Sequence, residues 1–220
     1  MNTYQVKYKN GSADLDADWN KPFWRSVEPF RIDQAHPASS DWRPCTQVKM
    51  AYNNNTVYVI FRVQDKYVRA SATQTHGQVW KDSCIEFFFA PFPEKPDSYF
   101  NIEINCCGIL LAQHHTGPRE NSSYLDIEDC RKIQIASSAS GTILNEISKP
   151  ISWTLEYALP LEIFSKYADF QMPASSVTWH GNFYKCADGC SHPHWLSWSP
   201  VPGEKPDFHQ PDCFGKLLFM

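Results

Sequence analysis

No stretch of these 220 residues approaches the ~18 consecutive apolar residues that a membrane-spanning helix needs. No basic run exceeds two residues, and the formal net charge is −4. That balance removes the electrostatic case for nucleic acid or an anionic membrane surface as partner. Internal repeats and low-complexity tracts are missing, and helical periodicity is nearly so. The N-terminus, Met1-Asn-Thr-Tyr-Gln-Val-Lys-Tyr-Lys9, lacks the apolar core of a signal peptide. As written, the chain is expected to be cytoplasmic; one trimmed of a leader would be extracellular or periplasmic. The missing export signal also bears on the eight cysteines, Cys45, Cys84, Cys106, Cys107, Cys130, Cys186, Cys190 and Cys213. An even count in a secreted protein suggests disulfides. Here most are expected to be reduced thiols used in packing.

What is present is apolar and aromatic. Hydrophobic residues make up 42% of the chain and aromatics 15%, with eight Trp. This is enough for a substantial core and excludes a disordered chain. The length suits one domain spanning residues 1–220. Sixteen prolines fall between apolar runs, which points to many short elements. Two runs, Val48–Tyr52 and Val57–Val63, flank Asn53-Asn54-Asn55, a hairpin signal. Further strands are predicted at Ser83–Ala90, Tyr99–Asn105, Ile109–His114, Lys132–Ser137, Thr142–Ile147, Ser152–Leu159, Val177–Lys185, Trp195–Ser199 and Lys216–Phe219. One short helix is expected over Leu161–Tyr167, after Pro160. The fold class is therefore all-β: an antiparallel β-sandwich of about ten strands with one short helix. An up-and-down barrel is the alternative. The first forty residues are expected to drape over the sheets.

Side chains alternate between the faces of a strand. Ile85, Phe87 and Phe89 therefore share one face, and Cys84, Glu86 and Phe88 share the other, with Trp80 at the strand's entrance. Asn101, Glu103 and Asn105 lie opposite Phe100, Ile102 and Ile104. Thr178, His180, Asn182 and Tyr184 lie opposite Val177, Trp179 and Phe183. Three neighbouring strands with these faces would make a polar floor of carboxylates, amides and a phenol. Such groups suit a neutral polyhydroxylated ligand, and an aromatic face offers it a stacking surface. An ordinary solvent-facing surface is the plainer reading of the same pattern. Trp153, Trp179 and Trp198 sit among apolar neighbours and read as core, while Trp195 is ambiguous.

At these residues the chain resembles carbohydrate-binding module family 9, and in particular its stand-alone bacterial relatives. The resemblance runs through Leu15 and Trp19, Val57-Tyr58-Val59 with Asp65, and Trp80-x-Asp82-Ser83-x-x-Glu86-x-Phe88. It continues in Leu155-Glu156-x-Ala158-x-Pro160, Asn182 to Cys186, His192 to Pro200, Pro206 to Pro211 and Phe214-Gly215. It implies a β-sandwich that binds carbohydrate without catalysis, a sugar terminus being clamped between two aromatic rings. By this resemblance the first ring and its carboxylate are Trp80 and Glu86. The second ring, six residues before Phe214-Gly215, is Phe208, where the family usually has Trp. The family's Arg-x-Asn pair appears as Glu103-x-Asn105, with Tyr184 and Asn182 supplying further polar groups. Arg62 is the candidate to replace the family arginine. The resemblance also implies a place for structural calcium, and Asp14-Leu-Asp-Ala-Asp18 is the candidate, although it lacks a Gly turn. No other cofactor is expected. An open sheet face is expected to bind its sugar weakly.

Three other readings compete. Glu86 and Glu103 form a candidate glycosidase pair, which needs carboxylates ~5–9 Å apart. Cys186, Cys190, His192 and His194, with His180 upstream, form a candidate metal set. Haem ligation by Met and His is the third, in a chain with four Met.

Overall fold

The computed structural model describes residues 1–92, 94–117 and 121–220. Along the chain come β1 (Thr3–Tyr8), β2 (Phe30–Ile32), β3 (Gln34–Ala35), β4 (Cys45–Tyr52), β5 (Thr56–Asp65) and β6 (Val68–Ala70). There follow β7 (Cys84–Ala90), β8 (Ser98–Asn105), β9 (Leu110–Thr116) and β10 (Ser122–Tyr124). A single turn of α-helix, α1 (Ile127–Cys130), precedes β11 (Gln134–Ser137), β12 (Ile143–Ile147) and β13 (Ile151–Pro160). The last strands are β14 (Thr178–Cys186), β15 (Trp195–Ser197) and β16 (Gly215–Phe219). The expected helix after Pro160 is a 3-10 helix over Leu161–Lys166.

The front sheet runs β10-β9-β8-β7-β14-β16-β1, with β15 added beside β14 and β3 beside β15. The back sheet runs β1-β4-β5-β13-β11, with β2 beside β4. The sandwich is mostly antiparallel, and β1 is the exception. Thr3 to Val6 pair parallel with β16, then Lys7 and Tyr8 pair parallel with β4. The first strand therefore stitches the two sheets into one curled sheet. This corrects the expectation for the N-terminal segment, part of which is an internal strand. Phe30–Ile32 and Gln34–Ala35 also join the sheets, while the segment carrying Trp19 and Trp24 does pack outside, covering Ala51, Tyr58, Ile60 and Ala158 on the outer face of the back sheet.

The core follows from alternation. Ile85, Phe87, Phe89, Phe100, Ile102 and Ile104 of the front sheet meet Val57, Val59, Phe61, Val63, Trp153 and Leu155 of the back sheet. Phe87 stacks on Phe183 with centroids 4.4 Å apart. Each fully buried ring of this kind contributes ~1.5–3 kcal/mol. Trp153, Trp179 and Trp198 are buried, as their neighbours suggested. The Asn53–Asn55 hairpin closes as its composition predicts, the Asn53 carboxamide oxygen accepting the Asn55 N–H at 3.0 Å. The outer face of the front sheet is not open. Every residue of β7 is buried, because the loop that follows β15 folds back over that face. No helix among the described residues is long and apolar enough to cross a membrane.

Candidate carbohydrate-binding site

The register of the front sheet brings the floor of a cleft together. Glu86 of β7 lies directly opposite Glu103 of β8, and Glu103 lies opposite Leu111 of β9. On the other side Tyr184 and Cys186 of β14 pair with Glu86 and Cys84. Trp80, Glu86, Glu103 and Phe208, four of the residues singled out from sequence, line one cleft of about 220 Å³. The carboxylates lie at its base, Glu86 being 3% and Glu103 5% exposed.

Trp80 sits in the 3-10 helix Val79–Lys81. The next residue anchors it. The buried Asp82 carboxylate accepts the backbone N–H groups of Ser71 and Ala72 at 2.8 and 2.9 Å and the Ser71 hydroxyl at 2.8 Å. Its fourth donor is the Asn105 side-chain amide at 2.9 Å. From the far side, the Asp188 N–H donates to the Trp80 carbonyl and the Gly189 N–H to the Lys81 carbonyl. Asp188 also accepts the Trp195 indole N–H at 2.7 Å. Trp80 and Trp195, both on the cleft, are thus tied to one turn. Phe208 lies flat on Tyr184 with centroids 4.0 Å apart, and the Tyr184 hydroxyl donates to the Phe208 carbonyl at 3.2 Å. Burial and the nearby Glu86 raise the Tyr184 pKa well above its usual value, which keeps that donor protonated.

Four sequence-based assignments are corrected. Asn105 is fully buried and serves Asp82 and the N–H groups of Cys107 and Ile109, so it does not line the cleft. Asn182 uses its amide on the backbone of Ser199, at 2.9 and 3.0 Å, and on its own neighbour Phe183. Tyr184 lies beneath Phe208 as a support. Arg62 belongs to β5 in the back sheet, where its guanidinium lies over Trp19 and donates to Gln47 at 2.6 Å. Alternation placed Arg62 on the outer face correctly, but that face belongs to the opposite side of the sandwich from Glu86.

Other cleft residues were missed. His115 stacks on Tyr99 with centroids 4.5 Å apart, and the Tyr99 hydroxyl meets His209 Nδ1 at 2.9 Å. His115 Nε2 also meets the Asn101 carboxamide oxygen at 3.0 Å, and the Asn101 amide donates to Glu103 at 2.8 Å. This chain of contacts orients the Glu103 carboxylate. The signal for His115 was alternation along β9, which carries Leu111, Gln113 and His115 on one face. The strand expected at Ile109–His114 ended one residue short of it.

The metal and calcium candidates come apart in the same way. His192 stacks on Tyr67 at 3.6 Å, and His194 Nε2 meets the Lys185 ammonium at 2.8 Å. Cys190 Sγ lies by the Ser83 hydroxyl, and Cys186 Sγ donates to Glu86 Oε1 at 3.0 Å. Half-buried His180 pairs with Lys216 on β16. These side chains face different neighbours and do not converge. In the Asp14–Asp18 loop the Lys21 ammonium bonds the Asp14 carbonyl, Asp16 at 2.8 Å and buried Glu156 at 2.7 Å. A side-chain cation sits where calcium was expected.

The family model for carbohydrate-binding family 9 matches residues 24–219. A crystal structure from Bacteroides uniformis, described as that of a candidate carbohydrate-binding protein, is similar over 99% of both chains, at 30% identity and a TM-score of 0.89. A family 9 module from Caldicellulosiruptor kristjanssonii in complex with glucose covers 100% of this chain and 96% of its own, at 14% identity and a TM-score of 0.67. The same organism's family 9 module in complex with cellotriose covers 99% and 93%, at 14% identity and 0.68. At that identity these two speak for the fold. No curated protein matches the chain. A family model matched over nearly the whole chain and a full-length likeness at 30% identity together establish that this chain belongs to carbohydrate-binding family 9.

Proposed function

We propose that this protein binds the end of a carbohydrate chain in the cleft and leaves it chemically unchanged. The observation that carries this reading is the meeting of Trp80 and Phe208 with the paired carboxylates Glu86 and Glu103 in one cleft. Aromatic faces cover the C–H faces of a sugar ring, and carboxylates accept its hydroxyl protons. In this reading Trp80 and Phe208 stack on the sugar, Trp195 extends the apolar wall, and Glu86 and Glu103 bond hydroxyls from below. Asn105, Asn182 and Tyr184 hold those groups in place. The Caldicellulosiruptor modules make glucose and cello-oligosaccharides natural first probes.

A binding role is favoured over hydrolysis by the layout of the acids. A glycosidase sets its two carboxyl groups on either side of the scissile bond. Here Glu86 and Glu103 are direct cross-strand neighbours in one floor. Calorimetric titration against a sugar panel, with chromatography of the recovered sugar, tests the proposal. Saturable binding with unchanged sugar is expected. Turnover that Glu86→Gln abolishes would overturn it.

A further inference from the structure

The floor of the cleft carries two thiols that sugar binding does not use, beside a carboxylate that it does. Cys84 and Cys186 are directly opposed on β7 and β14. Glu86 lies two residues beyond Cys84 and therefore on the same face. The two sulfurs and a Glu86 oxygen all lie within 4.8 Å of one another, with Cys186 Sγ 3.0 Å from Glu86 Oε1. We propose that Cys84, Glu86 and Cys186 form a binding site for a thiophilic divalent cation of the zinc class.

The geometry suits such an ion. Zinc takes sulfur at ~2.3 Å and oxygen at ~2.1 Å in tetrahedral array, which places its ligand atoms ~3.5–3.8 Å apart. The three donors lie within 4.8 Å of one another, near that spacing. Two thiolates and one carboxylate leave the fourth position free, as in zinc sites that accept an exogenous ligand. Cys186 and Glu86 line the cleft, so that position faces it. Val79 and Leu111 belong to the same buried apolar cluster as both cysteines. Before any ion binds, the Cys186 thiol also has the Trp80 carbonyl oxygen within reach as an acceptor, at 3.4 Å. The rigid paired strands hold the donors together before any ion arrives.

The proton balance is explicit. With no cation bound the sulfurs are thiols, Cys186 Sγ donating to Glu86 Oε1. An incoming divalent cation takes both sulfurs as thiolates, and the two protons leave to solvent. The resulting centre holds two thiolates and one carboxylate around a dication. No electron is transferred, and no oxidant or reductant is needed.

The site shares Glu86 with the sugar reading, but its test requires no sugar. Reduced, chelator-treated protein is titrated with Co2+ while the thiolate-to-cobalt charge-transfer absorption is followed. The expected result is one equivalent bound per chain with tetrahedral thiolate bands, displaced by Zn2+. Cys84→Ser and Cys186→Ser each remove the band, Glu86→Gln weakens cobalt binding at least ~10-fold, and Cys45→Ser and Cys107→Ser keep it. Near-ultraviolet circular dichroism checks that each variant is folded. Absence of a thiolate band in the wild-type protein overturns the proposal. So does a band that survives in Cys84→Ser or Cys186→Ser. Sugar titration in the presence of chelator is read separately, so failure of the metal site leaves the carbohydrate reading standing.

Discussion

Trp80 owes its place to Asp82, and Asp82 depends on Asn105. The buried carboxylate gathers four donors, and the Asn105 amide is the one that comes from the neighbouring strand. Removing that amide leaves a buried charge with a missing partner and two backbone N–H groups without their acceptor. Asn105→Ala should therefore lower stability by ~1–3 kcal/mol in urea denaturation and weaken sugar binding, because the Trp80 turn loses its anchor. Unchanged stability and unchanged affinity together would contradict this role. Asn105 also shows what alternation along a strand can and cannot say. It reveals which residues share a face. It does not reveal whether a polar group on that face is free for a ligand or already used by a neighbour. Glu86 and Asn182 looked alike in the sequence, yet only Glu86 reaches the cleft. Asn182 turns inward to the backbone of Ser199 because the chain after β15 passes directly over it.

At the scale of elements, Gly215 of β16 determines how closely that chain can pass. Gly181 faces Gly215 across the ladder. A Cβ on Gly215 would lie 2.4 Å from Trp198 Cζ3 and 2.8 Å from the Asn2 carbonyl oxygen. Gly215→Ala should cost ~1–3 kcal/mol or more, since the Trp198 ring and the start of β1 must both shift. Thermal or urea unfolding reads this, and a variant as stable as wild type would show that the contact relaxes freely. Strands with strong alternation, such as β7, β8 and β14, were legible within a residue or two. The short strands β2, β3, β6 and β10 were not, because two or three residues carry too little pattern. β1 was missed for another reason. Its partners β16 and β4 are parallel to it, so no turn chemistry announces the pairing.

Across the whole molecule, the two sheets are joined by charge as well as by apolar packing. Alternation puts Lys185 on the same inward face as Phe183, which was a readable sign of an unusual interior cation. It lies 3.4 Å from Asp65 of the back sheet and 2.8 Å from His194. Burial opposes ionisation of Asp65. Lys185 and the Trp42 indole outweigh it and hold the carboxyl below its usual range. Burial and then Lys185 depress His194 to about 3. The unfolded chain takes up a proton on this histidine below pH ~6.5, while the folded chain does so only near 3. Stability from this group is therefore full above ~6.5 and falls on acidification, by up to ~1.4 kcal/mol per pH unit. The Asp65 contribution follows the same sign at lower pH: it is present above ~3.9 and lost as pH drops through the depressed value. Denaturation midpoints measured across this range should show the slope, and His194→Gln should flatten it. An unchanged slope in that variant would place the acid sensitivity elsewhere. The sandwich was legible because composition, alternation and motif order agreed, and motif order also pointed to Trp80 and Phe208, which line one cleft. The depth of the cleft was not legible, because it depends on the loop after β15, far downstream of β7 and β8, folding back over them.

The most direct test of the account is a calorimetric comparison of wild-type protein with Trp80→Ala. The titrant is the best sugar from a glycan screen that includes glucose and cellotriose. The account predicts saturable one-site binding by the wild-type protein. It predicts no measurable heat from the variant, whose circular dichroism and unfolding midpoint stay close to wild type. A folded Trp80→Ala protein that binds the sugar as tightly as wild type would contradict it.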